Sequence, residues 1–530
     1  MHNVIRMSGK GVFLLPIVAA FGCIHPSLVG VSADIDAQPA STRLKSASAP
    51  EPQPRRSTLV ISGTENQYPV MRTPSLGDLD GDGLDDFLVE AGESGADYDA
   101  YNLRSFLFYG KTELPAPLST AHADAVLASG ELPAVGVGDI NGDGLADFTI
   151  GDWDGYEIIL GSSARLSGEQ PRFGSGLAWQ RSGDLLPYVR PLGDVNGDGM
   201  AELRVTVISD VPEHEVANRA PELITDYLVS GRQGGWPTGP WDPTWAVAML
   251  GDEPPAFEDN GTKTVLQRLQ ISGTGDLDGD GYIDLLALGR WSIWVFYGSA
   301  SGFRGTLTPE QANASLHWPH DESASREDFA KTIPITLGDV DGDGTVDIGV
   351  PHHAELGIVY GSKQRFSGRV DLQPELTIVR QNSELPERNW WMALADDVSF
   401  GALTPQLVST QIRVSSVDLD GDAQPELALH ENRFPAARSY TDPFESVMYV
   451  VTGTSQRATG RYVLSDADIH VAKGIRDSDA ALTSGLLLDR GGDIDGDGST
   501  DLIFGVPKAQ ADGSSKVYLH VVPGAPHAPD

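Results

Sequence analysis

Residues 275–284 read GDLDGDGYID, and this short acidic loop recurs along the chain. Six further copies share its order of Asp or Asn, Gly and a closing acid: GDLDGDGLDD from Gly77, GDINGDGLAD from Gly138, GDVNGDGMAE from Gly193, GDVDGDGTVD from Gly338, VDLDGDAQPE from Val417 and GDIDGDGSTD from Gly492. The first Asp residues of successive loops are 61, 55, 82, 63, 79 and 75 residues apart. Repeats at such intervals indicate one supersecondary unit per interval, packed against its neighbours.

Every loop places an oxygen-bearing side chain at positions 1, 3, 5 and 9, counted from its first Asp. Gly occupies position 4 in all seven loops and position 6 in six of them, which permits a tight turn around one centre. Calcium takes several oxygen ligands at flexible geometry, so these side chains and the carbonyl at position 7 suit it. The sequence therefore predicts about seven bound calcium ions.

The predicted ligands are the residues at positions 1, 3, 5, 7 and 9 of each loop. In chain order they are Asp78, Asp80, Asp82, Leu84 and Asp86; Asp139, Asn141, Asp143, Leu145 and Asp147; Asp194, Asn196, Asp198, Met200 and Glu202; Asp276, Asp278, Asp280, Tyr282 and Asp284; Asp339, Asp341, Asp343, Thr345 and Asp347; Asp418, Asp420, Asp422, Gln424 and Glu426; and Asp493, Asp495, Asp497, Ser499 and Asp501. Ala423 and Pro425 interrupt the pattern of the sixth loop, so its occupancy is left open.

Other interpretations of the acidic loops fit less well. Asp and Gly also favour turns that bind no metal, but seven copies in one ligand phase argue against that interpretation. An EF-hand requires flanking helices and a Glu at position 12. Position 12 is apolar in all seven loops: Val89, Ile150, Val205, Ala287, Val350, Leu429 and Phe504. RTX repeats recur every nine residues, and thrombospondin-type calcium repeats carry cysteines, so neither class matches.

The residues after each loop predict β-strands. Apolar segments such as FLVEAG from Phe87 and LLALG from Leu285 follow position 9, and a second strand such as SFLFYG from Ser105 then ends in a turn. A calcium-clamped hairpin cannot bury both of its faces alone. We therefore expect an all-β fold, a seven-bladed β-propeller, in which residues 59–62 (LVIS) pair with the last blade to close the ring.

The N-terminal residues predict export. Basic residues precede the apolar run at 11–22, and Val31-Ser32-Ala33 offers a cleavage site, so 1–33 is interpreted as a signal peptide. Cys23, the only cysteine, lies in a sequence that resembles a degraded lipobox, which leaves a lipid anchor at Cys23 open. Residues 34–58 are rich in Pro, Ala and Ser and predict a flexible linker. The propeller then spans 59–530 of a secreted or cell-surface protein.

The loops and the strands that end in Tyr-Gly resemble the FG-GAP, or VCBS-type, repeats of the integrin α-subunit propeller and its secreted bacterial relatives, over about Leu59 to Val522. This resemblance implies that the calcium loops lie on the face away from the ligand surface and stabilise the blades. It also implies a binding or adhesion module for a protein or polysaccharide.

The net charge and the motifs of the chain limit the classes of partner that it could bind. The net charge of −38 opposes binding to nucleic acid, and 26 of the 75 acids belong to the predicted loops. Trp236, Trp241 and Trp245 in the third interval, with Trp390 and Trp391, are candidate sugar contacts if exposed and core residues if not. A secreted polysaccharide-active enzyme or a lectin is the alternative. The chain contains no GxSxG or HExxH motif, so binding is favoured over catalysis.

Overall fold

The structure is a computed structural model, and all of its described residues belong to one unit of the chain, Ser41–Asp530. It describes residues 59–522 except 62–66, 70–74, 94–102, 114–117, 129–131, 153–154, 171–176, 181–185, 211–221, 253–267, 290–291, 319–333, 353–354, 381–388, 392–409, 420, 422–424, 434–443, 452–456, 465–468, 477–487 and 510–514. The predicted signal peptide with Cys23, the predicted linker, and Asp420, Asp422 and Gln424 of the sixth loop lie outside the described residues. None of the helices in the described ranges has the length and apolar character needed to cross a membrane.

The described residues form β-strands and three short 3-10 helices, Thr120–His122, Pro243–Trp245 and Pro309–Gln311. The strands are β1 (Leu59–Ile61), β2 (Gln67–Pro69), β3 (Ser75–Gly77), β4 (Asp86–Glu93), β5 (Leu103–Phe108), β6 (Ala125–Ala128), β7 (Leu132–Gly138), β8 (Asp147–Asp152), β9 (Gly155–Ile159), β10 (Gly168–Gln170), β11 (Leu177–Gln180), β12 (Leu186–Gly193), β13 (Glu202–Asp210), β14 (Glu222–Val229), β15 (Gly239–Pro240), β16 (Ala248–Leu250), β17 (Gln270–Gly275), β18 (Asp284–Leu288), β19 (Ile293–Phe296), β20 (Gly305–Leu307), β21 (Ala314–His317), β22 (Ile335–Gly338), β23 (Asp347–His352), β24 (Glu355–Val359), β25 (Gly368–Asp371), β26 (Leu376–Arg380), β27 (Asn389–Trp391), β28 (Thr410–Val417), β29 (Glu426–Arg433), β30 (Phe444–Val451), β31 (Gly460–Leu464), β32 (Ile469–Arg476), β33 (Leu488–Gly492), β34 (Asp501–Ala509) and β35 (Ser515–Val522). The prediction of an all-β fold is confirmed.

These strands form seven sheets within the described residues, which we number I to VII in the order of the seven loops. The strand orders are β10-β6-β5-β4-β2 with β3 also on β4 (I), β15-β11-β9-β8-β7 (II), β12-β13-β14-β16-β20 (III), β17-β18-β19-β21-β25 (IV), β22-β23-β24-β26-β31 (V), β27-β28-β29-β30-β32 (VI) and β1-β35-β34-β33 (VII). Each acidic loop joins two adjacent antiparallel strands of its own sheet, for example β17 to β18. The hairpin predicted after each loop is therefore present in every sheet.

Sheets I to V each receive their edge strand from the following repeat. The strands β10, β15, β20, β25 and β31 pair in parallel with β6, β11, β16, β21 and β26. Each of them lies in a segment that crosses from its own repeat to the preceding sheet, and the first four of these segments begin at a strand-ending glycine. We call these segments straps; their described residues are 161–170, 231–240, 298–307, 361–371 and 457–464.

In sheets I to V, the strand after the loop is buried on both faces, since other sheets cover it. In β18, Leu285, Leu286 and Ala287 all have zero exposure. Apolar clusters fill the spaces between sheets I and II, II and III, III and IV, IV and V, and V and VI. The near-continuous apolar runs that follow position 9 in the sequence reflect this two-sided burial.

Sheet VII packs against sheet I, so the succession of sheets closes on itself. Phe87 and Phe108 of sheet I stack with ring centroids 5.0 Å apart and share a buried cluster with Ile494 and Ile503 of sheet VII. The predicted pairing of the first strand with the last repeat is confirmed, because β1 pairs antiparallel with β35. Contacts of β28 with β33 and of β32 with β34 link sheets VI and VII.

Candidate metal centre

The first Asp of each loop organises the turn. In the first loop, Asp78 Oδ1 accepts a hydrogen bond from the Gly81 N–H at 2.6 Å, and Oδ2 accepts one from the Gly83 N–H at 2.8 Å. Gly81 and Gly83 have φ values of 79° and 86°, in the left-handed region that favours glycine. The corresponding bonds recur in the second, third and seventh loops, to Asp139, Asp194 and Asp493. The repeated sequence therefore folds into a repeated geometry.

The acid at position 9 is buried in every loop. Asp86 has zero exposure, and its two oxygens accept hydrogen bonds from the Leu79 and Gly110 N–H groups, both at 2.8 Å. Burial, with a smaller contribution from the carboxylates of Asp80 and Asp78, raises the pKa of Asp86 to about 7. The pKa values of Asp147, Glu202, Asp284 and Asp347 are also raised to about 7, chiefly by burial. A cation beside these groups would stabilise their charged forms.

Positions 3 and 5 are held by the main chain of the loop. In the first loop Asp80 Oδ1 accepts from the Asp82 N–H at 3.1 Å, and Asp82 Oδ1 accepts from the Leu84 N–H at 3.0 Å. In the second loop Asn141 takes the place of Asp80, and its Oδ1 accepts from the Asp143 N–H at 2.8 Å. One oxygen of each side chain is thus fixed by the loop.

The carboxylates converge in four of the loops among the described residues. In each group the ligand atoms lie within 4.8 Å of one another. The groups are Asp78, Asp80 and Asp86; Asp276, Asp278 and Asp284; Asp339, Asp341 and Asp347; and Asp493, Asp495 and Asp497. Positions 1, 3 and 9 come together in the first, fourth and fifth loops, whereas positions 1, 3 and 5 do so in the seventh.

These donor sets fit a hard divalent cation. Three carboxylates within reach of one point supply only oxygen ligands, which calcium prefers. Backbone N–H groups hold them in place, and a bound cation would offset their mutual repulsion. The second and third loops each offer three carboxylates and one Asn side chain in the same backbone geometry. Ligation by the carbonyls at position 7 stays a prediction.

Three loops also contact an arginine of the strap that crosses them. Arg165 pairs with Asp80 and Asp82 of the first loop, and Arg365 pairs with Asp278 and Asp280 of the fourth. Arg457 lies with Nε 2.8 Å from Asp341 Oδ2 and Nη2 2.5 Å from Asp343 Oδ2 in the fifth. The sequence analysis did not identify these residues. Their signal is an arginine four residues after the strand-ending glycine: Gly161, Gly361 and Gly453.

Main-chain hydrogen bonds connect consecutive loops. The N–H of position 8 donates to the carbonyl of position 1 in the preceding loop: Ala146 to Asp78, Ala201 to Asp139, Val346 to Asp276, Thr500 to Asp418, and Asp85 to Asp493. The last of these joins the first loop to the seventh. Pro425 occupies position 8 of the sixth loop and has no N–H to donate to Asp339. The loops therefore lie side by side at one end of the sheets, with a weakened link at the sixth.

A sequence comparison assigns the family. Residues 276–350 match the FG-GAP-like repeat, a span that begins at the first Asp of the fourth loop and ends within β23. The chain therefore contains an FG-GAP-like repeat. The resemblance inferred from the loops is confirmed. No curated protein matches the sequence.

Several solved structures align with this FG-GAP repeat protein at low identity. A lectin of Agrocybe aegerita that recognises non-reducing terminal N-acetylglucosamine aligns at 13% identity and a TM-score of 0.32, over 88% of this chain and 94% of the lectin. BBS1N in complex with ARL6DN aligns at 11% and 0.32, over 87% and 94%. The exotype rhamnogalacturonan lyase YesX aligns at 13% and 0.23, over 89% of this chain and 61% of the lyase.

The tryptophans of the third interval belong to the core of the FG-GAP repeat protein. Trp236 and Trp241 are 6% and 3% exposed, and Trp245 packs partly buried against them. The Trp179 and Trp241 ring centroids lie 5.3 Å apart in the cluster between sheets II and III. Trp236 and Trp241 are therefore core residues rather than exposed sugar contacts, because the strap over sheet II and the residues that follow it pack into this cluster. Trp390 and Trp391 form β27, and their side chains lie outside the described residues.

Proposed function

We propose that this FG-GAP repeat protein is an exported, seven-bladed calcium-binding β-propeller that presents a binding surface for a protein or polysaccharide. Calcium binding is supported by one observation above all: four loops bring three carboxylates each within 4.8 Å, in the same sequence phase. The three remaining loops repeat that phase in the sequence. The predicted ligands at positions 1, 3, 5, 7 and 9 are the proposed calcium contacts.

The seven-bladed propeller is supported by the order of the sheets. Seven sheets follow one another along the chain, apolar clusters lie between neighbours, and sheet VII packs on sheet I. Pairing of β1 with β35 completes the last sheet with the first strand of the described chain. Such radial packing leaves only short, protected sheet edges.

The function of the calcium ions is stabilisation. Five pairs of consecutive loops bond to one another at this end of the sheets, so a bound cation there reinforces both a hairpin and its junction with the neighbouring sheet. The ligand surface is then placed at the other end of the sheets, as the family resemblance implies. Adhesion to a protein or polysaccharide is the corresponding activity, and export depends on the signal peptide at 1–33.

Calcium titration of the purified protein tests the metal assignment. Native mass spectrometry after chelation and calcium addition is expected to show about seven bound ions, and thermal unfolding is expected to shift upward when calcium is added. Fewer than five ions, or the same melting temperature in EDTA and in calcium, would remove the basis of the proposal. Magnesium at the same concentration is the control, because it requires a stricter octahedral geometry.

Binding to a glycan array and pull-down from extracellular material, each with and without EDTA, tests the binding role. Ligand capture that disappears in EDTA supports a calcium-stabilised binding surface. Depolymerisation of acidic polysaccharides by the protein would instead support the enzymatic alternative. Mass spectrometry of the exported protein reports the processing, since cleavage after Ala33 and lipidation at Cys23 give different masses.

A further inference from the structure

Three features occur together in some repeats and are missing together in others. In sheets I, IV and V, a Tyr-Gly pair directly follows the second strand after the loop (β5, β19 and β24). The tyrosines are Tyr109, Tyr297 and Tyr360. The loops of these sheets have Asp at position 3, and the straps over them carry Arg165, Arg365 and Arg457. Tyrosine, arginine and the position-3 carboxylate come from three separate parts of the sequence, and in the structure they form one cluster.

Each tyrosine positions the strap that carries the arginine. The Tyr109 hydroxyl accepts a hydrogen bond from the Leu166 N–H at 2.9 Å, and the Arg165 guanidinium lies 4.9 Å from the centre of the Tyr109 ring. Tyr297 does the same for Phe366 and Arg365, at 2.6 and 4.7 Å. The guanidinium thus stacks on an aromatic face while it pairs with the loop, an arrangement that orients it.

The second and third loops lack all three features. Position 3 is Asn141 or Asn196, and the residue before the strand-ending glycine is Leu160 or Ser230. The strap residue at the place of the arginine is Gly235 or Gly302. A Cβ on Gly302 would lie 3.3 Å from the Asn196 Cβ, so the strap still passes directly over position 3. No arginine pairs with either loop in the part of the chain that the structure describes.

The exchange keeps the summed formal charge of positions 1, 3, 5 and 9 and the arginine constant. The first, fourth and fifth loops have four carboxylates at positions 1, 3, 5 and 9, and one arginine reduces their formal charge to −3. The second and third loops have three carboxylates and the same formal charge of −3. An arginine therefore accompanies the extra carboxylate in the first, fourth and fifth loops.

We propose that Arg165, Arg365 and Arg457 are built-in counter-ions that hold the four-carboxylate loops folded when no cation is bound, and that equalise the cation affinity of the five loops. The inference rests on the proposed calcium binding. The position-3 carboxylates are almost fully buried, with Asp80 and Asp278 side chains 3% exposed, so they depend on a nearby positive charge. Arginine and calcium act on the same carboxylates, so each weakens the binding of the other.

The test removes the three arginines and measures stability with and without calcium. In R165Q/R365Q/R457Q, we expect the melting temperature in EDTA to fall by about 3–6 °C and the melting temperature in saturating calcium to fall by less than about 1 °C. Calorimetric titration should then show three sites that bind calcium about tenfold more tightly than in the parent protein. R165Q alone, purified in calcium, is the second variant and should show one such site.

Rescue distinguishes a charge effect from a lost contact between sheets. The combined variant D80N/D278N/D341N/R165Q/R365Q/R457Q gives these loops the charge of the second and third loops, and should recover the calcium affinity of the parent protein. R369Q is the matched control, because Arg369 lies on a strap, is 66% exposed and pairs with Asp371 outside any loop. It should change neither measurement.

Each result supports or overturns the inference. If the arginine variants are destabilised equally in EDTA and in calcium, the arginines are ordinary contacts between sheets. If the variants bind calcium more weakly than the parent protein, the arginines orient the ligands instead. Failure of the combined variant to restore affinity would also overturn the counter-ion role. A parent protein that binds no calcium would refute the proposed function itself, a result visible before any variant is compared.

Discussion

At the scale of single residues, position 9 shows how one carboxylate connects the loop to its sheet. Asp284 accepts hydrogen bonds from the Leu277 N–H at 2.8 Å and from the Gly298 N–H at 2.7 Å, so it joins the loop to the end of the next strand. It also belongs to the convergent group of the fourth loop. The Asp284 carboxylate therefore serves both the hairpin and the proposed cation.

Asp284→Asn should lose one calcium ion. The amide group replaces an acceptor oxygen with a donor that faces a backbone N–H, which costs about 1–3 kcal/mol on top of the lost metal ligand. Native mass spectrometry should count one ion fewer than in the parent protein, and the melting temperature in calcium should fall. Asp371→Asn, at an exposed side chain outside the loops, should leave both unchanged. An unchanged ion count in Asp284→Asn would exclude position 9 from the ligand set.

Gly83 tests the backbone requirement of the loop in isolation. Its φ is 86°, and a Cβ at this position would meet no atom within 4 Å, so only the left-handed conformation demands glycine. Gly83→Ala should lower the free energy of unfolding by about 1 kcal/mol, whereas Gly83→Asn should cost about half as much because Asn tolerates this region. Chemical denaturation in calcium measures both. Equal losses in the two variants would point to a steric cause instead.

At the scale of elements, the loops and the strands beside them were predictable because their signals are local. The run from Phe87 forms β4, the run from Leu285 forms β18, and residues 59–61 pair with β35 as predicted. The straps were not predictable, because their pairing joins segments of different repeats: Arg165 contacts Asp82, 83 residues away. The tryptophans of the third interval show the same limit, since composition alone did not reveal that Trp241 packs into the cluster between sheets II and III.

The loops as a group give the protein without calcium a distinctive pH dependence. The folded-state pKa values of Asp86, Asp147, Asp284 and Asp347 are raised from 3.8 to about 7, and that of Glu202 from 4.5 to about 7. Between these values the folded protein binds more protons than the unfolded chain, so stability falls as pH rises through about 7.

In EDTA, the melting temperature should therefore decrease by at least about 5 °C from pH 5.5 to pH 8. In saturating calcium the decrease should be smaller or absent, because the cation replaces the protons on these carboxylates. Thermal unfolding followed by circular dichroism at both pH values, with and without calcium, measures the difference. A melting temperature in EDTA that rises over this range would show that the position-9 acids are ionised without a cation.

At the scale of the whole molecule, closure depends on a few contacts between the first and last repeats. Asp85 donates its N–H to the Asp493 carbonyl at 2.9 Å, and the Asp493 N–H donates to Asp85 Oδ2 at 2.8 Å. Phe87 and Phe108 contribute the apolar side of this junction. Such contacts join residues about 400 positions apart in sequence, so they form only when the intervening sheets are in place.

Removal of β1 tests this closure directly. A variant that begins at residue 62 lacks the strand that pairs with β35 and leaves the outer edge of sheet VII open. We expect its melting temperature in calcium to fall and its tendency to associate to rise, because an unpaired edge strand offers free backbone groups to another chain. Thermal unfolding and light scattering measure these effects, and a variant that begins at residue 57 is the control. If the two variants have the same melting temperature and scatter light equally, β1 does not close the sheet in solution. The ring is then held by the Asp85–Asp493 bonds and the apolar contacts of Phe87 and Phe108 alone.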